Sequence, residues 1–171
     1  MENRMDLKNA NQEPNLHIQI TYSEGIVQSV KLTPSLTKGI QWVFDSSVSD
    51  PKLEACINKW LDAYLQKKMP SVQVPLALNF LPSFTQKVLF TIARIPIGTV
   101  YTYGQIATMM GRAQAARAVG GACGRNPFLL FIPCHRVLDA KQESRGFSDE
   151  SISVKQSLLI FEGAKFLTLS L

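Results

Sequence analysis

Cysteine and histidine are scarce. Three cysteines (Cys56, Cys123 and Cys134) and two histidines (His17 and His135) are scattered over 171 residues with no metal-ligand pair spacing. That argues against a zinc site or a disulfide framework and favours a reduced, cytoplasmic protein with no metal and no cofactor. Long apolar runs are also missing: no window approaches 18 consecutive apolar residues, so no membrane span is expected. The opening MENRMDLKNANQEPN lacks an apolar signal-peptide core and is expected to be a frayed tail. Neither repeats nor low-complexity tracts occur.

Acidic side chains are missing from one long window. No Asp or Glu occurs between residues 63 and 138, which hold Lys67, Lys68, Lys87, Arg94, Arg112, Arg117, Arg125 and Arg136. Residues 1–79 carry eight basic and eight acidic side chains; residues 80–171 carry ten and five, hence the whole formal charge of +5. A surface facing a polyanion needs such a stretch, because each acid would repel phosphate. A solvated basic face would look the same.

What is present divides the chain. Leu16, Ile18, Ile20 and Tyr22 alternate, and after Ser23-Glu24-Gly25 the alternation resumes through Ile26, Gln28, Val30 and Leu32, which predicts a β-hairpin. Asp50-Pro51 reads as an N-cap with proline at the first helical position, and Leu53, Ile57, Trp60, Leu61 and Tyr64 follow at helical spacing. QKKMPSVQVP (66–75) breaks that helix. The second half is helical. Ser83/Gln86 and Thr102/Gln105 have capping-box spacing. The first pair opens a helix with Phe84, Val88, Ile92 and Ile95 on one side. The second opens a short helix ended by Gly111, and the small-residue segment AQAARAVGGACG follows, the outline of a helix-turn-helix. A last helix is expected at about 152–162, stopped by Gly163. The fold class is therefore α+β: a tail (1–14), a small β-rich N-terminal domain (15–79, including linker 66–79), and a mainly helical C-terminal domain with a helix-turn-helix (80–171).

The segment NPFLLFIPCHRV (126–137) carries the chemistry. Apart from Asn126, every residue up to Cys134 is apolar or proline; then a thiol, an imidazole and a guanidinium stand side by side. A buried thiol is normally inert, because low dielectric disfavours the thiolate. Polar partners beside it point to a reaction.

IPIGTVYTYGQIA, AARAVGGA, NPFLLFIPCHRV, GFS and LLIFEG together resemble the O6-alkylguanine-DNA alkyltransferases, over most of residues 83–163. The resemblance implies repair by direct reversal. An alkyl group on O6 of guanine, or on O4 of thymine, moves to the protein's own cysteine once and irreversibly. A soft thiolate suits displacement at such a carbon, and the thioether is stable. By the resemblance, Cys134 is the acceptor, His135 the base acting through a bridging water, Glu162 the group that orients His135, and Asn126 the residue that fixes the turn. The partner is double-stranded DNA entered from the minor groove by a monomer, with the damaged base flipped out. Small residues at Ala115, Ala116, Ala118 and Gly120 allow close approach. Arg117 fills the vacated stack, Tyr103 crowds the target phosphate, and Val137, Phe147 and Ser148 hold the flipped base. Taken singly, a buried cysteine is usually packing and a glutamate at a helix end usually solvated; their joint occurrence carries the reading.

Two positions depart from the family pattern. The loop reads GFSDES where the family continues Gly-Tyr/Phe-x-Gly-Gly, so Asp149, Glu150 and Ser151 either border the alkyl pocket and favour methyl over benzyl groups, or bulge into solvent and leave the pocket unchanged. Cys123 lies on the small-residue helix and is treated as a small apolar residue. Two alternatives are a non-enzymatic binder of alkylguanine DNA and a helix-turn-helix regulator with a redox cysteine. The first would lack the acceptor thiol. The second would need long polar side chains on the recognition helix. A sensor-repair protein with an added metal-binding domain would need more chain and more cysteines.

Overall fold

The computed structural model describes residues 13–141 and 149–165, with side chains described at all of these positions except 149–152. The chain opens with the hairpin β1 (Leu16–Ser23) and β2 (Ile26–Pro34), antiparallel, from Leu16↔Pro34 to Ser23↔Ile26. Leu16, Ile18, Ile20 and Tyr22 are buried, as the alternation requires. A third strand, β3 (Ile40–Asp45), was not anticipated. It pairs parallel with β1, which becomes the centre of a sheet ordered β2-β1-β3. Its alternation is brief: Ile40 is buried, Trp42 and Phe44 half-buried, and Gln41, Val43 and Asp45 exposed.

α1 (Pro51–Leu65) starts as the Asp-Pro pair predicts. The Asp50 carboxylate accepts from the Leu53 N–H at 3.0 Å, and the Asp50 N–H donates to the Tyr22 hydroxyl, which itself donates to Glu54. Leu53, Ile57, Leu61 and Tyr64 are buried along one face. Trp42 Nε1 donates to Asn58 Oδ1 at 2.9 Å, which ties this helix to β3. Beyond α1 the chain runs along the outer edge of β2: Val27 N–H donates to Pro75 O and Ala77 N–H to Val27 O, both at 2.9 Å. Farther along the same edge, Val30 N–H donates to Pro127 O at 2.7 Å.

α2 (Ser83–Ile92) corrects one expectation. Its N-cap is Pro82; Ser83 is already helical and caps nothing. Pro82, at φ −55° and ψ 143°, makes the entry turn, and Gln86 donates its side-chain amide to Leu81 O. Val88, Ile92 and Ile95 are buried as expected, with Thr85 and Leu89 beside them, whereas Phe84 is only half-buried. The second capping box forms: Thr102 Oγ1 accepts from Gln105 N–H and Gln105 Oε1 from Thr102 N–H.

The short strand β4 (Tyr101–Thr102) leads directly into α3 (Tyr103–Met109). Gly111, at φ 70°, turns the chain, a 3-10 turn covers Ala113–Ala115, and α4 (Ala116–Gly124) completes the helix-turn-helix. β5 (Val137–Leu138) pairs parallel with β4, which fixes the exit of the Cys134 segment beside the start of α3. The last helix, α5 (Asp149–Phe161), begins a few residues earlier than periodicity suggests. Asp149, Glu150 and Ser151 therefore form its first turn, not a loop.

The buried side chains of the sheet, α1 and the later helices join in a single core. Helix α1 contributes to that core from a sequence-defined start, which gives a direct test. Asp50→Ala should cost about 1 kcal/mol by stranding the Leu53 N–H. Urea denaturation should show a lowered midpoint with an unchanged m-value.

Candidate active site

The thiol sits at the end of a strained, pinned turn. Asn126 is buried and bonds both ends of it. Its Oδ1 accepts from Phe128 N–H at 3.0 Å, and its Nδ2 donates to Ile132 O at 2.9 Å. Ile132 N–H closes the turn on Phe128 O at 2.9 Å. Within it Leu130 is buried at φ 73°, a left-handed conformation that branched side chains rarely adopt. The surrounding contacts over-determine that residue, which is how such strain persists. Cys134 then opens a 3-10 turn, Cys134–Arg136, in which His135 and Arg136 are buried and Cys134 is partly exposed.

A buried carboxylate meets that turn from behind. Glu162, just past α5, is 2.7 Å from His135 Nε2 through Oε1. Arg136 donates twice to it, from Nε to Oε2 and from Nη2 to Oε1, each at 2.8 Å, and spends Nη1 on Ile95 O at 2.6 Å. Tyr64, on α1, donates its hydroxyl to Oε1 at 2.9 Å. Gly98 N–H approaches Oε2 at 3.4 Å. Gly98 has φ 77°, and a Cβ there would lie 3.0 Å from the Glu162 carbonyl, so glycine is what lets this backbone close on the carboxylate.

Charge follows from these contacts. Burial alone would raise the pKa of Glu162. Its partners His135 and Arg136 outweigh that and hold it well below the usual carboxylate range. Burial also pushes His135 below its ordinary value, with Glu162 partly opposing and Arg136 and Lys155 reinforcing. At neutral pH His135 is therefore uncharged, and Arg136 is the cation that keeps Glu162 ionised. An ionised Glu162 accepts only, so His135 Nε2 carries the proton and Nδ1 is left as the basic nitrogen. Burial raises the Cys134 thiol; Asn126 hydrogen bonding and the positive charge of Lys155 pull it back. Cys123 is pushed up to about 12 by burial first and Cys134 second, so this thiol too stays protonated at neutral pH.

The helix-turn-helix lies next to the thiol. Tyr103, the first residue of α3, is raised above its usual pKa, chiefly by burial and then by the nearby Cys123 and Cys134. Its ring lies over Gly120, where an added Cβ would stand 3.9 Å from Cδ1 and Cε1. Arg117 and Ala118 are exposed; Ala115, Ala116 and Gly120 are half-buried. Lys155, on α5, donates to Val137 O at 2.7 Å, and its Nζ is 6.0 Å from the Tyr103 ring centroid. Among the described residues no group of three His, Cys, Asp or Glu side chains is arranged to hold a metal ion. No helix among them is long and apolar enough to cross a membrane.

Comparison with known proteins settles the kinship. Residues 83–164 match the family model described as the DNA-binding domain of 6-O-methylguanine DNA methyltransferase. The chain is 35% identical over 120 residues to the methylated-DNA–protein-cysteine methyltransferase of Methanosarcina acetivorans, covering 70% of this chain and 76% of that one. This chain belongs to the methylated-DNA–protein-cysteine methyltransferase family. It is 37% identical over 110 residues to the family member of Cricetulus griseus, a match over 61% of this chain; it spans about half, 53%, of that relative's length. The crystal structure of Mycobacterium tuberculosis OGT in complex with DNA superposes with a TM-score of 0.63 at 28% identity, covering 86% of this chain and 92% of the other.

Of the residues singled out through the family resemblance, the structure brings Cys134, His135, Glu162 and Asn126 into one constellation. Tyr103 stands beside it. Val137 is buried in β5, its carbonyl already accepting from Lys155. Phe147 and Ser148 lie outside the described residues, as do the side chains of Asp149, Glu150 and Ser151. Three participants went unassigned from sequence. Arg136 was in view beside His135 but had no role. Lys155, on α5, precedes Glu162 at that helix's end by two helical turns, a spacing that could have flagged it. Tyr64 is 98 residues from Glu162, and no local pattern points to it.

The burial of this network predicts acid sensitivity. His135 is held below its ordinary 6.5 and Glu162 below its ordinary 4.5. For both groups the unfolded chain binds the proton more readily than the folded one, so stability falls as pH drops. Thermal midpoints should decline below about pH 6.5 from His135 and more steeply below about 4.5 from Glu162. In Glu162→Gln the second decline should be reduced.

Proposed function

We propose that this protein repairs DNA by taking an alkyl group, methyl above all, from O6 of guanine onto Sγ of Cys134. The juxtaposition of Cys134, a neutral His135 and an ionised Glu162 carries this reading. His135 Nδ1 takes the thiol proton through a bridging water, and Glu162 stabilises the imidazolium through Nε2. The thiolate attacks the alkyl carbon: the S–C bond forms as the O6–C bond breaks, and the base recovers a proton to become guanine. Nothing in the arrangement can cleave a thioether, so each molecule acts once. All four polar participants come from one chain, so a monomer suffices. Three unpaired cysteines suit a reducing compartment, the cytoplasm.

The DNA partner is double-stranded and is approached from the minor groove by α4. Ala115 just before it and its Ala116, Ala118 and Gly120 present little bulk, and exposed Arg117 enters the stack that the flipped base leaves. Tyr103, its ring over Gly120, crowds the target phosphate. Basic residues without neighbouring acids give phosphate contacts independent of sequence, which suits a search for damage.

Two experiments test the reading. Incubation with an oligonucleotide containing O6-methylguanine should add one methyl to the peptide containing Cys134, by intact mass and peptide mapping, and no more with excess DNA. Turnover beyond one equivalent, or methyl on Cys56, would overturn it. Separately, Arg117→Ala should slow repair in duplex DNA by at least about tenfold, since unstacking a base costs a few kcal/mol. Reaction with free O6-benzylguanine should stay near the wild-type rate. Equal slowing of both would restrict Arg117 to a structural role.

A further inference from the structure

The reaction just proposed needs only residues from 103 onward, yet the relay's carboxylate is also held from the first half of the chain. The Tyr64 hydroxyl donates to Glu162 Oε1, the same oxygen that faces His135 Nε2. Its ring cannot drift. Trp60 stacks on it with centroids 5.7 Å apart and planes 15° apart, and Phe161, the residue before Glu162, lies against it at 5.7 Å. Lys67 Nζ covers the Phe161 ring at 4.9 Å. Trp60 also meets Phe131 edge-on at 4.6 Å, inside the turn that leads to Cys134. One face of α1 thus grips both sides of the site, the thiol-bearing turn and the end of α5.

We propose that Tyr64 is a positioning residue for the transfer, its hydroxyl fixing Glu162 against His135, so that the first half of the chain is a working part of the site. This rests on the alkyl-transfer reading above. Oε1 has three donors: Tyr64, His135 and Arg136. With the Tyr64 donor gone, the carboxylate is less satisfied and draws the His135 proton more strongly, so the imidazolium forms more readily. The charged and titratable groups facing His135 are Glu162 and Lys155 from α5 and its end, Arg136 from its own turn, and Tyr64 from α1 through Glu162, with Cys134 its neighbour in sequence. Only Tyr64 can be altered without removing a charge or the nucleophile.

The test is the pH profile of single-turnover methyl transfer to full-length protein from an oligonucleotide containing O6-methylguanine. The acid limb reports protonation of the base. Tyr64→Phe keeps the stacked ring and removes one hydrogen bond. It should move the midpoint of that limb upward by about 0.5 to 1 unit, a loss of about three- to tenfold at a pH on the limb. Ile57→Val, which trims a buried residue on the same helix, should lower the melting temperature and leave the midpoint unchanged. An unmoved midpoint in Tyr64→Phe, or an equal movement in Ile57→Val, overturns the proposal. Absence of methyl on wild-type Cys134 would instead overturn the alkyl-transfer reading itself.

Discussion

The Glu162 carboxylate accepts from His135, Arg136, Tyr64 and the Gly98 backbone, and the candidate site is organised around it. Its ion pair with Arg136 is buried, and Arg136 also donates from Nη1 to Ile95 O. Such a pair contributes little net stability against an apolar pair of the same shape. Breaking it is another matter, since a lone buried charge costs about 3–5 kcal/mol. The network is therefore cooperative: its members keep their geometry together or lose it together. That explains how a short 3-10 turn, with few hydrogen bonds of its own, can present a thiol and an imidazole in fixed relation.

Burial has opposite effects on the thiol and the imidazole. It makes the thiol harder to ionise and keeps the imidazole free to take a proton. On the proposed mechanism the thiol stays protonated until His135 acts on it, which limits stray oxidation and alkylation. Asn126 and Lys155 moderate the penalty without removing it. The apolar surroundings that hold the thiol in check are themselves products of the IPCHRV segment and the turn before it.

Much of the architecture was legible from local pattern. The hairpin, the Asp50 cap, the Thr102 capping box and the Gly111 turn are all written in neighbouring residues, and short-range physics decides them. β3 was missed because only Ile40, Trp42 and Phe44 point inward and its partner β1 lies more than twenty residues back. The Ser83 cap failed because Pro82 had already made the turn, a contest that spacing alone does not reveal. In the site, contiguous residues and the family resemblance disclosed Cys134, His135, Asn126 and Glu162. The role of Arg136 appears only once a buried carboxylate is seen to need a cation. Tyr64 and Leu130 depend on tertiary packing: one reaches across 98 residues, and the other holds a backbone angle that its own side chain disfavours.

The outer edge of β2 has a consequence for synthesis on the ribosome. That edge is covered by Pro75–Ala77 and, farther along, by Pro127 and Phe128. During vectorial translation the hairpin, complete at Pro34, emerges well before Pro75 and much longer before Pro127. A strand edge left open for that interval is a template for pairing with other nascent chains. Lys31, exposed within β2, places a charge along that strand, as strands that must wait often do. The segment that covers the far part of the edge is the turn leading to Cys134, so the hairpin is finished only when that turn forms.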